Sequence, residues 1–165
     1  MILIVGGAGY VGSVLIKEML ARGYAVKVFD RMYYGDSGIR DHLEQIKLVE
    51  GDVRTMDNAV LEGVEAVINL SGLSNDPTAE YNPKANFDMN TKATERLANL
   101  CKAKGIKRFI FASSCSIYDV GIGNDEQDIV LDEEAVVNPK AAYSSSKYQA
   151  EKILLSLADK NFCPV

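Results

Sequence analysis

The chain has 165 residues, of which 47% are hydrophobic and 25% are charged, and its formal net charge is −5. This length allows one domain with a sizeable core, and the composition is that of an ordinary globular protein. A negative net charge without a cluster of Lys and Arg argues against nucleic acid or an anionic membrane surface as a partner.

Strands are predicted wherever a short apolar run is bounded by turn residues. These runs lie at 2–5, 25–30, 46–51, 64–70 and 107–114, and residues 161–165 resemble the start of another core strand. Helices are predicted at 10–22, 83–104 and 142–160. Strands that alternate with helices imply right-handed crossovers. The predicted fold class is therefore α/β, a Rossmann-type doubly wound parallel sheet.

Two of the predicted helices carry apolar residues at helical spacing. The first places its apolar residues on roughly one side, and Gly23 ends the pattern. The second has a predicted buried side and is closed by Gly105. The residues concerned are Val11, Val14, Leu15, Met19 and Ala21 in the first helix, and Phe87, Leu97, Leu100 and Cys101 in the second.

The three cysteines and the single histidine bear on metal binding and on the redox compartment. Cys101, Cys115 and Cys163 are widely spaced, and no pair of them has metal-ligand spacing. We therefore expect reduced thiols, no metal site and a cytoplasmic location. The first apolar run is too short for a signal-peptide core, and no stretch has the length of a membrane span.

The segment GGAGYVGS at 6–13 lies between the first predicted strand and the first predicted helix. Gly7, Gly9 and Gly12 satisfy G-x-G-x-x-G. Gly6, Gly9 and Gly12 satisfy G-x-x-G-x-x-G. A tight turn favours glycine, because it needs backbone angles that only glycine adopts cheaply. Gly9 has no side chain, so a pyrophosphate can approach the backbone, and Gly12 lets the helix pack closely on the strand. Free N–H groups at the helix start bind phosphates. The pattern predicts a dinucleotide site, and a merely tight turn is the plainer alternative.

Asp30 ends the second predicted strand, 18 residues after the last glycine of the motif. A carboxylate there can accept hydrogen bonds from the adenosine ribose hydroxyls, and it favours NAD by repelling the 2′-phosphate of NADP. The neighbouring Arg31 could instead pair with that phosphate. The GDV sequence after the third strand would place Asp52 and Val53 near the adenine, unless it is a simple strand-ending turn.

The segment AYSSSKYQAEK at 142–152 contains Tyr143 and Lys147, which share one face of the predicted helix. A nearby ammonium favours the phenolate, whose unperturbed pKa is about 10, and so provides a group that can move a proton near neutral pH. The serine-rich run 113–116 follows the fifth predicted strand, at the edge where open α/β sheets bind ligands. One of its hydroxyls could bond the same substrate oxygen. Taken alone, the spacing also fits a surface Tyr/Lys pair.

Together these motifs resemble the N-terminal part of an extended short-chain dehydrogenase/reductase, of the NAD-dependent sugar-nucleotide epimerase/dehydratase type. They occur in the family's order over nearly the whole chain and are highly specific in combination. The matching segments are GGAGYVGS at 6–13, Asp30, GDV at 51–53, NLSGLS at 69–74, Asn90-x-x-Ala-Thr94, FASSCSIY at 111–118 and YSSSK at 143–147.

The resemblance implies three catalytic side chains. Tyr143 matches the base or acid, Ser114 the catalytic hydroxyl, and Lys147 the group that binds the nicotinamide ribose and lowers the tyrosine pKa. The implied cofactor is NAD, the implied substrate is a nucleotide sugar, and a homodimer is implied for the complete protein. The implied cofactor-binding residues are Gly6, Gly9, Tyr10, Val11, Gly12, Asp30, Arg31, Asp52, Val53, Leu70, Ser71, Gly72, Asn90, Tyr143 and Lys147.

Some positions depart from the family's pattern. Ala93 and Asp119 stand where the family usually has glycine. Ser114-Cys115-Ser116 stands where sugar 4,6-dehydratases have Thr-Asp-Glu, so the acid for water elimination is absent. The segment before Tyr143 is also long and acidic, as expected of a solvated loop or of a border to the substrate site. Its acidic residues are Asp119, Asp125, Glu126, Asp128, Asp132, Glu133 and Glu134.

Three functions remain open from the sequence. The first is an NAD-dependent sugar-nucleotide epimerase, and the second is a reductase or dehydrogenase of the same family. The third is a non-catalytic dinucleotide-binding sensor, which would need the glycine turn but not the Tyr/Lys pair. Retention of Ser114, Tyr143 and Lys147 together favours an enzyme.

The resemblance also bears on domain organisation. Family members are considerably longer than this chain, and their C-terminal part carries most of the nucleotide-sugar contacts. We therefore expect residues 1–165 to be the NAD-binding Rossmann domain of a longer protein, without its substrate-binding part, and to be inactive on their own.

Overall fold

The structure, a computed structural model, describes residues 1–118 and 130–165. Within these residues, six parallel strands form one sheet in the order β3-β2-β1-β4-β5-β6. This is the strand order of the doubly wound dinucleotide-binding fold and confirms the predicted fold class. The strands are β1 (Ile2–Val5), β2 (Val26–Asp30), β3 (Lys47–Glu50), β4 (Ala66–Asn69), β5 (Arg108–Phe111) and β6 (Cys163–Pro164).

The helices lie in the order that the alternating pattern predicts. They are α1 (Tyr10–Ala21), α2 (Asp76–Tyr81), α3 (Pro83–Phe87), α4 (Ala93–Ala103) and α5 (Ala142–Leu157). The helix predicted over 83–104 is present, but a π-helical turn at Asp88–Lys92 divides it into α3 and α4. The short α2 has no counterpart in the prediction.

Both faces of the sheet are covered near its centre, which explains why β1 is apolar throughout. Leu3 and Val5 pack into one buried cluster with residues of α4 and α5, including Leu97. Ile4 points to the other face, where it packs with Ile16 of α1. The sheet is thereby held between α1 on one side and α4 with α5 on the other.

The predicted apolar side of α1 is correct for Leu15 and Met19, which pack against the buried cluster on that face of the sheet, but not for its other members. Gly12 and Ile16 are the buried residues of α1, whereas Val11 and Val14 are 61% and 58% exposed and Ala21 is exposed. At 100° per residue, positions 12 and 16 share a face with 15 and 19, and positions 11, 14 and 21 lie to its sides or behind it. The predicted set therefore combined two faces of the helix.

The second predicted helix is buried largely as expected. Leu97 and Cys101 are fully buried and Leu100 is partly buried. Phe87 is 36% exposed instead of buried. It lies in α3, and the extra residue of the π turn rotates α3 relative to α4, so one helical period does not run through both helices.

The last strand predicted from the sequence is present as β6. β6 runs parallel to β5, with Arg108 opposite Cys163. In β5, Phe109 and Phe111 are buried on one face, while Ile110 points to the other face and is 46% exposed. Among the helices of the described ranges, none has the length and apolarity to cross a membrane.

Candidate cofactor-binding and active site

The loops that follow β1 and β4 meet at the point where the strand order reverses. A Cβ added at Gly6 would lie 2.7 Å from the backbone nitrogen of Ser71. The Leu70 N–H donates a hydrogen bond of 2.8 Å to the Val5 carbonyl. The crevice at such a reversal, at the carboxyl ends of the strands, is where open α/β sheets bind ligands. The structure thus brings Gly6, Leu70 and Ser71 together at that edge.

Glycine is required at two positions of the first loop. Gly6 has a φ of +81°, and a Cβ at Gly12 would lie 2.3 Å from the Gly7 carbonyl oxygen. Gly9 has a φ of −76°, and the nearest described atom to a Cβ there is the Gly6 oxygen at 3.4 Å. The backbone angle that favours glycine in the tight turn is found at Gly6. The role predicted for Gly9, an absent side chain that lets a pyrophosphate approach, stays a prediction.

The N-terminus of α1 is open toward solvent. Within residues 1–118 and 130–165, no side chain caps the helix start at Gly9. Tyr10 is 91% exposed and Val11 is 61% exposed. The first N–H groups of a helix have no partner within it and carry a partial positive charge. The open turn therefore fits a pyrophosphate bound at the helix start.

Asp30 lies at the end of β2 and is fixed against the glycine-rich loop. Its Oδ2 accepts a hydrogen bond of 2.9 Å from the Ala8 N–H, and its Oδ1 accepts one of 2.7 Å from the Met32 N–H. A carboxylate oxygen has two acceptor sites, so each oxygen retains one for a further donor. The carboxylate is thus held in a fixed orientation with acceptor sites left over.

Asp52 lies beside Asp30, because the Gly51 N–H bonds the Asp30 carbonyl at 2.9 Å. Its carboxylate pairs with Arg31 at 3.1 Å and with Arg54 at 2.5 Å. Hydrogen bonding to Arg54 is the main cause that lowers the pKa of Asp52 to about 2. Arg31 is therefore engaged by a carboxylate. Val53 follows with its side chain buried in the core.

The loop after β4 is shaped by two asparagines. Asn69 Oδ1 accepts hydrogen bonds from the Ser71 N–H at 3.1 Å and from the Ser71 hydroxyl at 2.7 Å. Gly72 has a φ of +145°, and a Cβ there would lie 2.3 Å from Asn90 Oδ1. The loop therefore requires glycine at position 72.

Asn90 is fully buried in the π-helical turn and connects three parts of the site. Its amide accepts from the Leu73 N–H at 2.8 Å and donates to the Leu73 carbonyl at 3.0 Å. Its nitrogen also lies 2.7 Å from Asn86 Oδ1 and 3.1 Å from Ser146 Oγ. These bonds join the β4 loop, α3 and α5. Asn90 therefore has an architectural role, whether or not it also contacts a cofactor.

The predicted catalytic side chains lie together where β5 ends and α5 begins. The Ser114 hydroxyl bonds the Ser116 hydroxyl at 2.8 Å and lies close enough to Tyr143 to influence the pKa of its phenol. Lys147 is one helical turn after Tyr143, and its Nζ lies 5.9 Å from the centre of the tyrosine ring. A hydroxyl, a phenol and an ammonium in this arrangement can hold a substrate oxygen and exchange a proton with it.

The titration of the pair differs from the prediction. Burial raises the pKa of Tyr143, and the nearby Ser114 side chain acts in the opposite direction. Burial lowers the pKa of Lys147 to about 8. The Lys147 ammonium donates a hydrogen bond of 2.9 Å to the Ala112 carbonyl. The expected lowering of the tyrosine pKa is therefore wrong for this structure, because burial of the phenol outweighs the interactions that favour the phenolate.

Residues that the sequence did not single out position the start of α5. The Ala142 N–H donates a hydrogen bond of 2.7 Å to Glu80 Oε1, and the Ala142 carbonyl accepts one of 2.9 Å from Asn86 Nδ2. Glu80 and Asn86 lie 62 and 56 positions from Ala142, so no spacing in the sequence indicates these contacts. Tyr143 is therefore anchored at the residue that precedes it.

Of the acidic segment, Asp132, Glu133 and Glu134 are exposed. Asp119, Asp125, Glu126 and Asp128 lie outside the described residues. Within the described ranges, no group of three or more His, Cys, Asp or Glu side chains could hold a metal ion.

The comparisons with known proteins bear on the family of the chain. The model of the family "NAD dependent epimerase/dehydratase family" matches residues 2–165. The UDP-glucose 4-epimerase of Rhizobium leguminosarum bv. trifolii is 30% identical over 159 residues, which cover 93% of this chain and 46% of that protein. The chain thus spans about half of its length. A UDP-glucose 4-epimerase sequence of Klebsiella pneumoniae is 31% identical over 126 residues, covering 71% of this chain and 91% of that sequence.

Two solved structures support the same assignment. The UDP-glucose 4-epimerase of Brucella ovis in complex with NAD is 28% identical, with a TM-score of 0.85 over 99% of this chain and 49% of that one. The UDP-Glc/GlcNAc 4-epimerase of Campylobacter jejuni is 27% identical, with a TM-score of 0.88 over 99% of this chain and 51% of that one. With the family match over nearly its whole length, the chain belongs to the NAD dependent epimerase/dehydratase family.

Proposed function

We propose that the complete protein is an NAD-dependent epimerase of a nucleotide sugar and that residues 1–165 form its NAD-binding domain. The observation that carries the proposal is the grouping of Ser114, Tyr143 and Lys147 at the carboxyl ends of the strands: Lys147 lies 5.9 Å from the Tyr143 ring and bonds Ala112, two residues before Ser114. The open glycine turn lies at the same edge of the sheet. The epimerases among its relatives act on UDP-glucose by name, so UDP-glucose is the first substrate to test.

Tyr143, Ser114 and Lys147 each have a separate role in such a reaction. NAD, when bound, would supply the acceptor for a hydride from the sugar carbon and the donor for its return to the other face. Tyr143 removes the proton of the sugar hydroxyl and later gives it back, and Ser114 holds the same oxygen by a hydrogen bond. The ammonium of Lys147 stabilises negative charge on the phenol oxygen, which burial otherwise disfavours.

The same proposal bears on the location of the protein, its oligomeric state and its partners. The described free cysteines, two of them exposed, fit a reducing compartment, and we therefore propose a cytoplasmic location. We also propose that the complete protein is a homodimer that does not bind nucleic acid. Size-exclusion chromatography with light scattering would test the dimer.

The test of the main proposal is the Tyr143→Phe variant of the complete protein. We expect it to lose conversion of UDP-glucose to its C4 epimer while it still binds NAD, because the glycine turn is untouched. Tyr148→Phe, one turn away on the same helix, is the matched control and should retain activity. Unchanged turnover in Tyr143→Phe would contradict the proposal.

A dehydrogenase is the second candidate. Human sterol-4-alpha-carboxylate 3-dehydrogenase, decarboxylating, is 28% identical and covers 96% of this chain. An epimerase returns the hydride and needs no added NAD, whereas a dehydrogenase accumulates NADH in proportion to product. Absorbance at the NADH band during turnover separates the two.

A further inference from the structure

Arg31 is a feature of the adenosine side that argues against NAD, because it directly follows the ribose-binding candidate Asp30. An arginine near that ribose can pair with the 2′-phosphate of NADP. In the structure the Arg31 guanidinium is already engaged. One nitrogen lies 3.1 Å from Asp52 Oδ2, and the guanidinium stacks 4.5 Å from the centre of the Tyr33 ring.

Asp52 is itself held in one orientation. Its Oδ1 accepts a hydrogen bond of 2.9 Å from the Arg54 N–H, which caps the short turn Val53–Thr55. The Arg54 guanidinium contacts both carboxylate oxygens, at 3.0, 3.2 and 2.5 Å. With its carboxylate fixed from the other side, Asp52 presents Oδ2 to Arg31.

We propose that Asp52 determines cofactor specificity by holding Arg31 away from the 2′ position of the adenosine ribose. The inference rests on the proposed function, since it presumes that this crevice binds a nicotinamide dinucleotide. The negative charges of Asp30 and Asp52 offset the positive charges of Arg31 and Arg54. A 2′-phosphate would therefore face the Asp30 carboxylate and an Arg31 guanidinium that is already paired with Asp52.

Calorimetric titration of the complete protein with NAD and with NADP, after removal of copurified cofactor, tests the proposal. Asp52→Asn keeps an oxygen for the Arg54 N–H but removes the charge that holds Arg31. We expect the affinity for NADP relative to NAD to rise about fivefold or more in this variant, the effect of one exposed charge pair. The double variant Asp52→Asn/Arg31→Ala should lose that gain.

Two further variants complete the design. Arg31→Ala alone should leave the affinity ratio within about twofold of the unmodified protein, because Arg31 does not reach the cofactor there. Asp57→Asn is the matched control: Asp57 caps the next turn through the Ala59 N–H at 2.7 Å, and the ratio should not change.

The outcomes separate the inference from the proposed function. An unchanged ratio in Asp52→Asn, or a gain that survives in the double variant, overturns the role of Asp52. A large change in Arg31→Ala alone overturns it as well, and this arm remains decisive if Asp52→Asn does not fold by circular dichroism. Failure of the unmodified protein to bind either dinucleotide would instead overturn the proposed function, and the inference with it.

Discussion

Gly72 lies so close to Asn90 that a Cβ at position 72 would sit 2.3 Å from Asn90 Oδ1. That oxygen already accepts the Leu73 N–H at 2.8 Å. Asn90 is fully buried and bonded to two further residues, so it cannot move aside cheaply. The contact fixes the path of the β4 loop against the π-helical turn.

Gly72→Ala should lower the free energy of unfolding by about 2–4 kcal/mol, because a clash with a buried amide adds to the strain of a φ of +145°. Urea denaturation measures the change. Gly105→Ala is the control: Gly105 has a φ of +73°, but no atom of the described residues lies within 4 Å of the added Cβ. It should cost about 1 kcal/mol, the backbone part alone. Equal losses in the two variants would contradict the role of Asn90.

Glu80→Ala should destabilise the chain by about 1 kcal/mol and lower kcat in the complete protein, because the first turn of α5 loses its acceptor at Ala142, next to Tyr143. Glu80→Gln keeps an oxygen acceptor and should retain most of both quantities. Denaturation and steady-state kinetics measure the two effects. The exposed Glu133→Ala is the control, and a kcat in Glu80→Ala equal to that of this control would remove Glu80 from the positioning of Tyr143.

Lys147→Met should change stability in a pH-dependent way. The folded pKa of Lys147 is about 8, whereas an unfolded lysine titrates near about 10.4. The unfolded state therefore binds more protons between these values, and stability rises with pH across that window. Below pH 8 the buried charge costs about 2–3 kcal/mol, and its hydrogen bond to Ala112 offsets about 1 kcal/mol.

We therefore expect Lys147→Met to be more stable than the unmodified chain by about 1–2 kcal/mol at pH 7 and slightly less stable at pH 10. Urea denaturation at the two pH values measures this sign change. Lys17→Met, at an exposed position of α1, should be nearly neutral at both. A stability loss at pH 7 equal to that at pH 10 would show that burial does not penalise the ammonium.

The elements and the chemistry that depend on local pattern could be predicted from the sequence. The apolar runs gave the strands of the sheet, and the i,i+4 spacing placed Tyr143 and Lys147 on one helix face. The choice of buried face was only partly right in α1, because Val11 and Val14 are apolar yet exposed, whereas Leu15 and Met19 pack against the core. Hydrophobicity alone does not separate a core contact from an exposed apolar side chain.

The remaining parts of the site depend on contacts between distant segments. Glu80 meets Ala142 across 62 positions, and Asn90 meets Ser146 across 56. The engagement of Arg31 by Asp52 likewise requires β2 and β3 to lie side by side. Spacing in the sequence gives no sign of such partners. The direction of the Tyr143 pKa shift could not be predicted either, because it depends on how far the folded chain buries the phenol.

The π-helical turn at Asp88–Lys92 sets a constraint on how this protein can change in length. The Ala93 N–H bonds the Asp88 carbonyl, a span one residue longer than in an α-helix. Deleting one residue here would restore the α-helical period and turn α3 by about 100° relative to α4. Asn86 would then swing away from Asn90 and Ala142 together. Insertions and deletions among close relatives should therefore be confined to the surface loops and leave the 83–103 stretch at constant length.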